Sequence, residues 1–156
     1  MHIFNSPIGR AAFAEENGAI SNFYLGEETL AMRDKIDQKE SPLLLEAERQ
    51  LILYLDGKLK RFDLSLSPQG TLFRQKVWFA LQQIPYGETW SYKRLAEHIG
   101  RPGAFRAVGG ANNKNPIPIV IPCHRVIGTD GSLVGYGLGL ELKQKLLDLE
   151  KRKAGD

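Results

Sequence analysis

Hydrophobic and polar positions change rhythm along this chain, and the changes mark its elements. Residues 1–26 read as strands. Ala11 to Glu16 and Ala19 to Leu25 flank Asn17-Gly18, a dipeptide that tolerates positive φ and closes a two-residue hairpin, while Gly9 breaks the strand signal before them. Residues 27–40 are charged and weakly patterned, which predicts a loop. Ser41-Pro42 supplies an N-cap and a first helical residue. Leu44, Ala47, Leu51 and Leu55 recur at helical spacing, and Gly57 is placed to cap the end. Phe62, Leu64 and Leu66 alternate with Asp63 and Ser65, as in a half-buried strand.

Ser67-Pro68-Gln69-Gly70 reads as a boundary, dividing a scaffold of residues 1–67 from a second domain of residues 68–156. Beyond it the pattern turns helical. Thr71 can cap a helix with Phe73, Val77, Leu81 and Ile84 on one face, ended by Pro85-Tyr86-Gly87. Ser91 can cap a short helix through Ile99, with Leu95 and Ile99 inward and Gly100 at its end. Arg101-Pro102-Gly103 makes a tight turn into a second short helix, Ala104 to Asn113. Two short helices joined by a glycine-containing turn form a helix-turn-helix signature, weak when taken alone. The second helix is nearly bare: Ala104, Ala107, Gly109, Gly110 and Ala111 let a backbone come close, either to a neighbouring element or to a partner, with Arg106 and Lys114 supplying charge. Thr129-Asp130-Gly131-Ser132 is a turn. Gly135, Gly137 and Gly139 alternate with Tyr136 and Leu138 in a loop that either closes over a flat ligand or is simply flexible. Leu142, Leu146 and Leu149 mark a last amphipathic helix ending in Lys151-Arg152-Lys153, favourable charges for a helix C-terminus.

Composition adds limits. At 42% hydrophobic and 25% charged residues, the chain can build an ordinary packed core. Its single cysteine excludes an internal disulfide framework and a multi-cysteine zinc site, and suits a reducing compartment. No apolar run is long enough to span a membrane, and Met1-His2-Ile3-Phe4-Asn5 lacks the regions of a signal peptide; a cytoplasmic protein is expected. The net charge of +3 is uneven. Residues 1–70 carry 8 Lys+Arg against 11 Asp+Glu, and residues 71–156 carry 13 against 7. A basic half suggests a polyanionic partner, although a solvated surface would give the same numbers.

The candidate chemistry sits at Cys123. Ile117, Ile119, Val120 and Ile121, interleaved with Pro116, Pro118 and Pro122, lead into the thiol, and His124 and Arg125 follow at once. A free cysteine is commonly a small buried hydrophobe. Here a stiff apolar approach fixes the sulfur, and the adjacent His and Arg can bias it toward thiolate, the nucleophilic form.

Pro122-Cys123-His124-Arg125-Val126 resembles the active-site motif of the O6-alkylguanine-DNA alkyltransferases. Arg106-Ala107-Val108-Gly109-Gly110-Ala111 and Asn115-Pro116 resemble that family's recognition helix and the asparagine after it. Ile84-Pro85-Tyr86-Gly87-Glu88 with Ser91-Tyr92 resembles the preceding segment, and Tyr136 and Glu150 stand at matching distances past the cysteine. The resemblance covers most of residues 70–150. It implies an α/β N-terminal ribonuclease-H-like domain, then a mainly α winged-helix-like domain with a helix-turn-helix. It also implies irreversible, single-turnover transfer of an alkyl group from O6 of guanine, and O4 of thymine, to Cys123. The implied partner is double-stranded DNA carrying O6-alkylguanine, gripped through the minor groove, by a chain that is monomeric in the absence of DNA and needs no cofactor.

The resemblance also implies roles. Arg106 replaces the extruded base in the stack, with Ala107, Gly110, Ala111 and Lys114 at the DNA. Tyr92 pushes the neighbouring phosphate and donates to the flipped guanine's ring nitrogen. Backbone groups of Cys123 and Val126 read the guanine amino group, and the amides of Tyr136 and Gly137 meet O6. His124 takes the thiol proton through a water, Glu150 fixes its tautomer, Asn115 ties the recognition helix to the active-site strand through backbone hydrogen bonds, and Lys143 lies near the site. Arg125 is structural. Some relatives bind zinc in the N-terminal domain; without a spare cysteine, no metal is expected here. Gly137 stands where some relatives carry serine, which keeps the amide but loosens the loop. Two alternatives remain open. A non-catalytic alkylated-DNA-binding protein is disfavoured by the cysteine itself. A Cys-His hydrolase is disfavoured because neighbours in sequence make an awkward dyad.

Overall fold

A computed structural model of the chain describes residues 1–26, 29, 31 and 38–156. These form two units, Met1–Gln69 and Gly70–Asp156. Helix and sheet are mixed, and no helix among the described residues is long and apolar enough to cross a membrane.

The first unit is an antiparallel meander, β1 (His2–Ser6), β2 (Gly9–Glu16) and β3 (Ala19–Leu25), covered by α1 (Pro42–Leu55). The β2–β3 hairpin turns on Asn17 (φ 53°) and Gly18 (φ 79°), as the dipeptide requires. Gly9 opens β2 rather than interrupting it, at φ 123°. Across the sheet Phe4 stacks on Phe13 at 5.9 Å, and Phe23 packs tilted against Phe13 at 4.9 Å. Leu44, Ala47 and Leu51 of α1 are fully buried with them. Ser41 caps α1 by accepting from the Leu44 amide at 3.1 Å. Gly57 (φ 75°) ends it: its amide reaches Tyr54 O and the Lys58 amide reaches Leu53 O, a Schellman closure.

Further expectations need correction in this unit. The inward stripe ends on Tyr54, fully buried, and Leu55 is only half-buried. Three residues past Leu51, Tyr54 continues the buried face more directly. Phe62–Leu66 alternates in burial as expected but forms no ladder; Ile20 makes one isolated bridge to Leu66. The reason is Gln50, whose buried side-chain amide accepts from the Asp63 N–H (2.8 Å) and donates to the Asp63 carbonyl (3.0 Å), taking a strand partner's place. Most of the loop expected over 27–40 lies outside the described residues. Thr29 and Ala31 are helical, and the Thr29 amide closes onto Gly26 O.

The second unit packs α2 (Leu72–Leu81), α3 (Tyr92–His98) and α4 (Phe105–Asn113) together, with α5 (Leu140–Lys153) at the chain's end. Thr71 and Ser91 cap α2 and α3 by accepting from Arg74 N and Arg94 N. Gly100 (φ 79°) closes α3 in a second Schellman motif, with Arg101 N on Ala96 O. A 3-10 turn, Pro102–Ala104, leads into α4. α2 is shorter than the pattern predicts: it ends at Leu81, and Ile84 is buried from the following turns instead. Phe73 is half-buried, and the larger inward residue is Trp78, whose Nε1 donates to Ala111 O at 2.8 Å and locks α2 to α4. β4 (Trp90–Ser91) pairs in parallel with β5 (Val126–Ile127).

Candidate active site

The approach to the cysteine is a closed loop, not a strand. Ile121 N donates to Ile117 O, and Ile119 sits at φ 74°, a region β-branched residues rarely enter. Its fully buried side chain holds that backbone in place. Asn115 ties both ends of the loop, donating Nδ2 to Ile121 O (2.8 Å) and accepting the Ile117 amide at Oδ1 (2.9 Å). Pro122 then feeds a 3-10 turn, Cys123–Arg125, whose three side chains are all buried.

Cys123 is 4% exposed. Burial pushes its thiol up to about 11, against the Asn115 side chain, the Lys143 charge and the backbone amides of Cys123 and Ile119, which all favour the thiolate.

His124 and Arg125 converge on one carboxylate. His124 Nε2 lies 2.7 Å from Glu150 Oε2. Arg125 grips the same carboxylate in bidentate fashion, Nε to Oε1 at 2.7 Å and Nη2 to Oε2 at 3.0 Å, and donates Nη1 to Ile84 O. Burial holds the imidazole below its ordinary pKa despite Glu150. Burial also opposes the Glu150 charge, but the His124 and Arg125 partners outweigh it and hold the carboxyl well below the usual range. With the imidazole neutral, the Arg125 fork is the cation that keeps Glu150 ionised. An ionised carboxylate at Nε2 puts the imidazole proton on Nε2, so Nδ1 carries the lone pair.

Lys143 is fully buried on α5, its Nζ donating to Val126 O (2.6 Å) and Val134 O (3.0 Å). Burial lowers its pKa, while Cys123 pulls it up. Tyr92 opens α3 and donates its hydroxyl to the same Val134 O at 3.2 Å. Its ring lies against Gly109 of α4, 3.7 Å from where a Cβ would stand. The Tyr136 hydroxyl is buried without a hydrogen-bond partner among the described residues, and burial with the nearby Cys123 and Glu150 pushes its pKa well up.

Asn115, Lys143, Tyr136 and Tyr92 thus lie within electrostatic reach of the Cys123 thiol, His124 and Glu150 form a buried pair that starts at the next residue, and the Val126 carbonyl is held by Lys143. Gly137 lies exposed in the adjoining loop. Arg106, Ala107 and Gly110 are exposed on α4, and Lys114 is exposed at its C-cap. Ala111 is not exposed with them: it is turned inward, and its carbonyl holds Trp78. Sequence reasoning missed Asn112, buried on α4 with Nδ2 3.5 Å from Cys123 O; a polar residue four past the inward Val108 is the signal that marks it. It also missed that Arg125 and His124 share Glu150. Among the described residues no group of three or more His, Cys, Asp or Glu side chains could hold a metal ion.

The site thus combines a buried free thiol with a His–Glu–Arg cluster, in a unit whose helices α3 and α4 expose Lys93, Arg94 and Arg106. Residues 72–152 match the family described as 6-O-methylguanine DNA methyltransferase, DNA binding domain. The chain is 50% identical over 150 residues to the methylated-DNA--protein-cysteine methyltransferase of Methanosarcina acetivorans, covering 95% of this chain and 96% of that one. It belongs to this methyltransferase family. Among solved structures it is similar to Mycobacterium tuberculosis OGT in complex with DNA, with a TM-score of 0.87, 45% identity and coverage of 97% and 92%. It is also similar to the O6-methylguanine-DNA methyltransferase of Pyrococcus kodakaraensis, with a TM-score of 0.68, 28% identity and 96% of each chain covered.

Proposed function

We propose that this chain repairs alkylated DNA by direct reversal, moving a methyl or other alkyl group from O6 of guanine to Cys123 in a single turnover. The observation that carries the reading is Cys123 itself, buried beside a His124 whose tautomer is fixed by Glu150. The sulfur attacks the alkyl carbon as thiolate; the S–C bond forms as the C–O6 bond breaks. The thiol proton leaves through a water to His124 Nδ1, the nitrogen with the lone pair. Electrons from the broken bond stay on the guanine, where the Tyr92 hydroxyl donates to the ring nitrogen and stabilises the developing charge. The product thioether has no leaving group that water can displace here, so each molecule acts once. O4 of thymine is the second substrate.

The base reaches the sulfur only if it leaves the duplex. α3 and α4 act as a helix-turn-helix, α4 enters the minor groove, and Arg106 fills the place of the extruded nucleotide. The exposed, nearly bare Ala107 and Gly110 suit that narrow groove, and Lys114 meets phosphate. Cys123 O and Val126 O read the guanine amino group, and the amides of Tyr136 and Gly137 meet O6. The second unit is then a winged-helix-like DNA-binding and alkyl-acceptor domain, the first a ribonuclease-H-like scaffold, and the free chain a monomer. A lone thiol that must stay reduced suits the cytoplasm.

The test is direct. Incubated with duplex containing O6-methylguanine, the protein should gain the mass of one methyl group, located on Cys123, and no more with excess substrate. Cys123→Ser should gain none. Functional protein whose mass stays constant would remove the reading.

A further inference from the structure

The exposed face of α4 is bare except at its start. Phe105 is 46% exposed, among the few large apolar side chains on the described surface, and it immediately precedes Arg106. The Arg106 guanidinium carbon lies 6.0 Å from the centre of the Phe105 ring, within reach of a cation–π contact. The surroundings identify the occupant of this face. Arg101, Arg106 and Lys114 are exposed, and no Asp or Glu occurs between Arg101 and Gly128. An exposed aromatic ring in a stretch of chain that carries cations and no acidic residue fits a polyanion that also offers flat apolar surface, which is nucleic acid.

We propose that Phe105 is a DNA-facing aromatic platform that holds the Arg106 guanidinium in place while it fills the gap left by an extruded base. This rests on the alkyl-transfer reading above and adds a positioning residue to it. In the free protein the ring keeps the long Arg106 side chain from sampling its many rotamers. At the duplex, the guanidinium occupies the gap in the stack, and the ring packs behind it against the edge of the neighbouring base step as an apolar wedge. Phe105 touches neither the reacting sulfur nor the alkylated base. Its effect is confined to substrates in which extrusion has to be driven.

The experiment compares single-turnover methyl transfer from the same O6-methylguanine oligonucleotide as duplex and as single strand, where no partner base is left behind. Phe105→Ala should slow the duplex reaction roughly tenfold, the size of one cation–π contact shielded from water, and leave the single-strand rate unchanged. Phe105→Trp should keep the duplex rate. Phe105→Leu, apolar but without a ring face, should not. Equal slowing on both substrates, no slowing on duplex, or full rescue by leucine would each overturn the proposal. If wild-type protein reacted with neither substrate, the alkyl-transfer reading would fall and this role with it. Unchanged melting of the variants separates these results from a folding defect.

Discussion

A cysteine that must become a nucleophile is placed where burial resists it. At pH 8, a thiol titrating at about 11 is ionised in about one molecule in a thousand. The resistance is only partly offset, by the Lys143 charge, the Asn115 side chain and two backbone amides. Of these, Lys143 is the one a substitution can remove cleanly. Lys143→Met takes away a cation that favours the thiolate, so the Cys123 pKa should rise further. Reaction with a small alkylating reagent such as iodoacetamide, followed at pH 8, below the range where lysine loses its proton, should be slower than in the wild type. Lys143→Arg, which keeps the charge, should restore most of the rate. An unchanged rate would show that Lys143 only pins the Val126 and Val134 carbonyls. Legibility at this scale was uneven. Cys123, His124 and Asn115 stand out because they are crowded into one apolar, proline-rich stretch. Lys143 and Glu150 are different: hydrophobic periodicity assigns charged residues to the solvent face of α5, yet both are buried. Only the resemblance marked them. Nothing in the sequence signalled Ile119 at φ 74°, since a left-handed position is expected of glycine.

Helix ends were the most readable elements, because capping is local chemistry. Ser41, Thr71 and Ser91 each accept the amide three residues on, and Gly57 and Gly100 each close a Schellman motif. Where the reading failed, a side chain from elsewhere had intervened. Gln50 replaced a strand at Asp63, and Trp78 rather than Phe73 anchored α2. Gly70 shows how closely that anchor is fitted. A Cβ there would stand 2.5 Å from Cη2 and 2.8 Å from Cζ3 of the Trp78 ring. Gly70→Ala should therefore destabilise the protein by about 1–3 kcal/mol through overpacking. Both clashing atoms belong to the indole's six-membered ring, which phenylalanine does not carry at that reach. In a Trp78→Phe background the cost of Gly70→Ala should shrink, giving non-additive losses in urea melts. Additive losses would mean the loop before α2 moves aside freely.

The molecule as a whole should be stable over a bounded pH range, and the same cluster sets both limits. On the acid side, Glu150 is held ionised well below the usual carboxylate range, and buried His124 is held below its ordinary value. Both pKa values are depressed in the folded state, so the unfolded chain binds more protons and stability falls with pH. The loss should begin as pH drops below about 6.5, where an unfolded histidine protonates, and steepen below about 4.5, where an unfolded glutamate does. On the alkaline side the sign reverses. Cys123 is raised, from 9.0 to about 11, so an unfolded thiol ionises first and stability falls as pH climbs through that window. Across the whole window the loss amounts to about 3 kcal/mol. Cys123→Ser, which does not titrate there, should flatten most of the limb between pH 9 and 10 in denaturant melts, where the tyrosines raised by burial contribute less than the thiol. Methylation of Cys123 should flatten it equally, because a thioether has no proton to lose. If the methylated and unmodified proteins showed the same alkaline limb, the sulfur would not be the titrating group, and the burial that makes it an unusual nucleophile would have to be reconsidered.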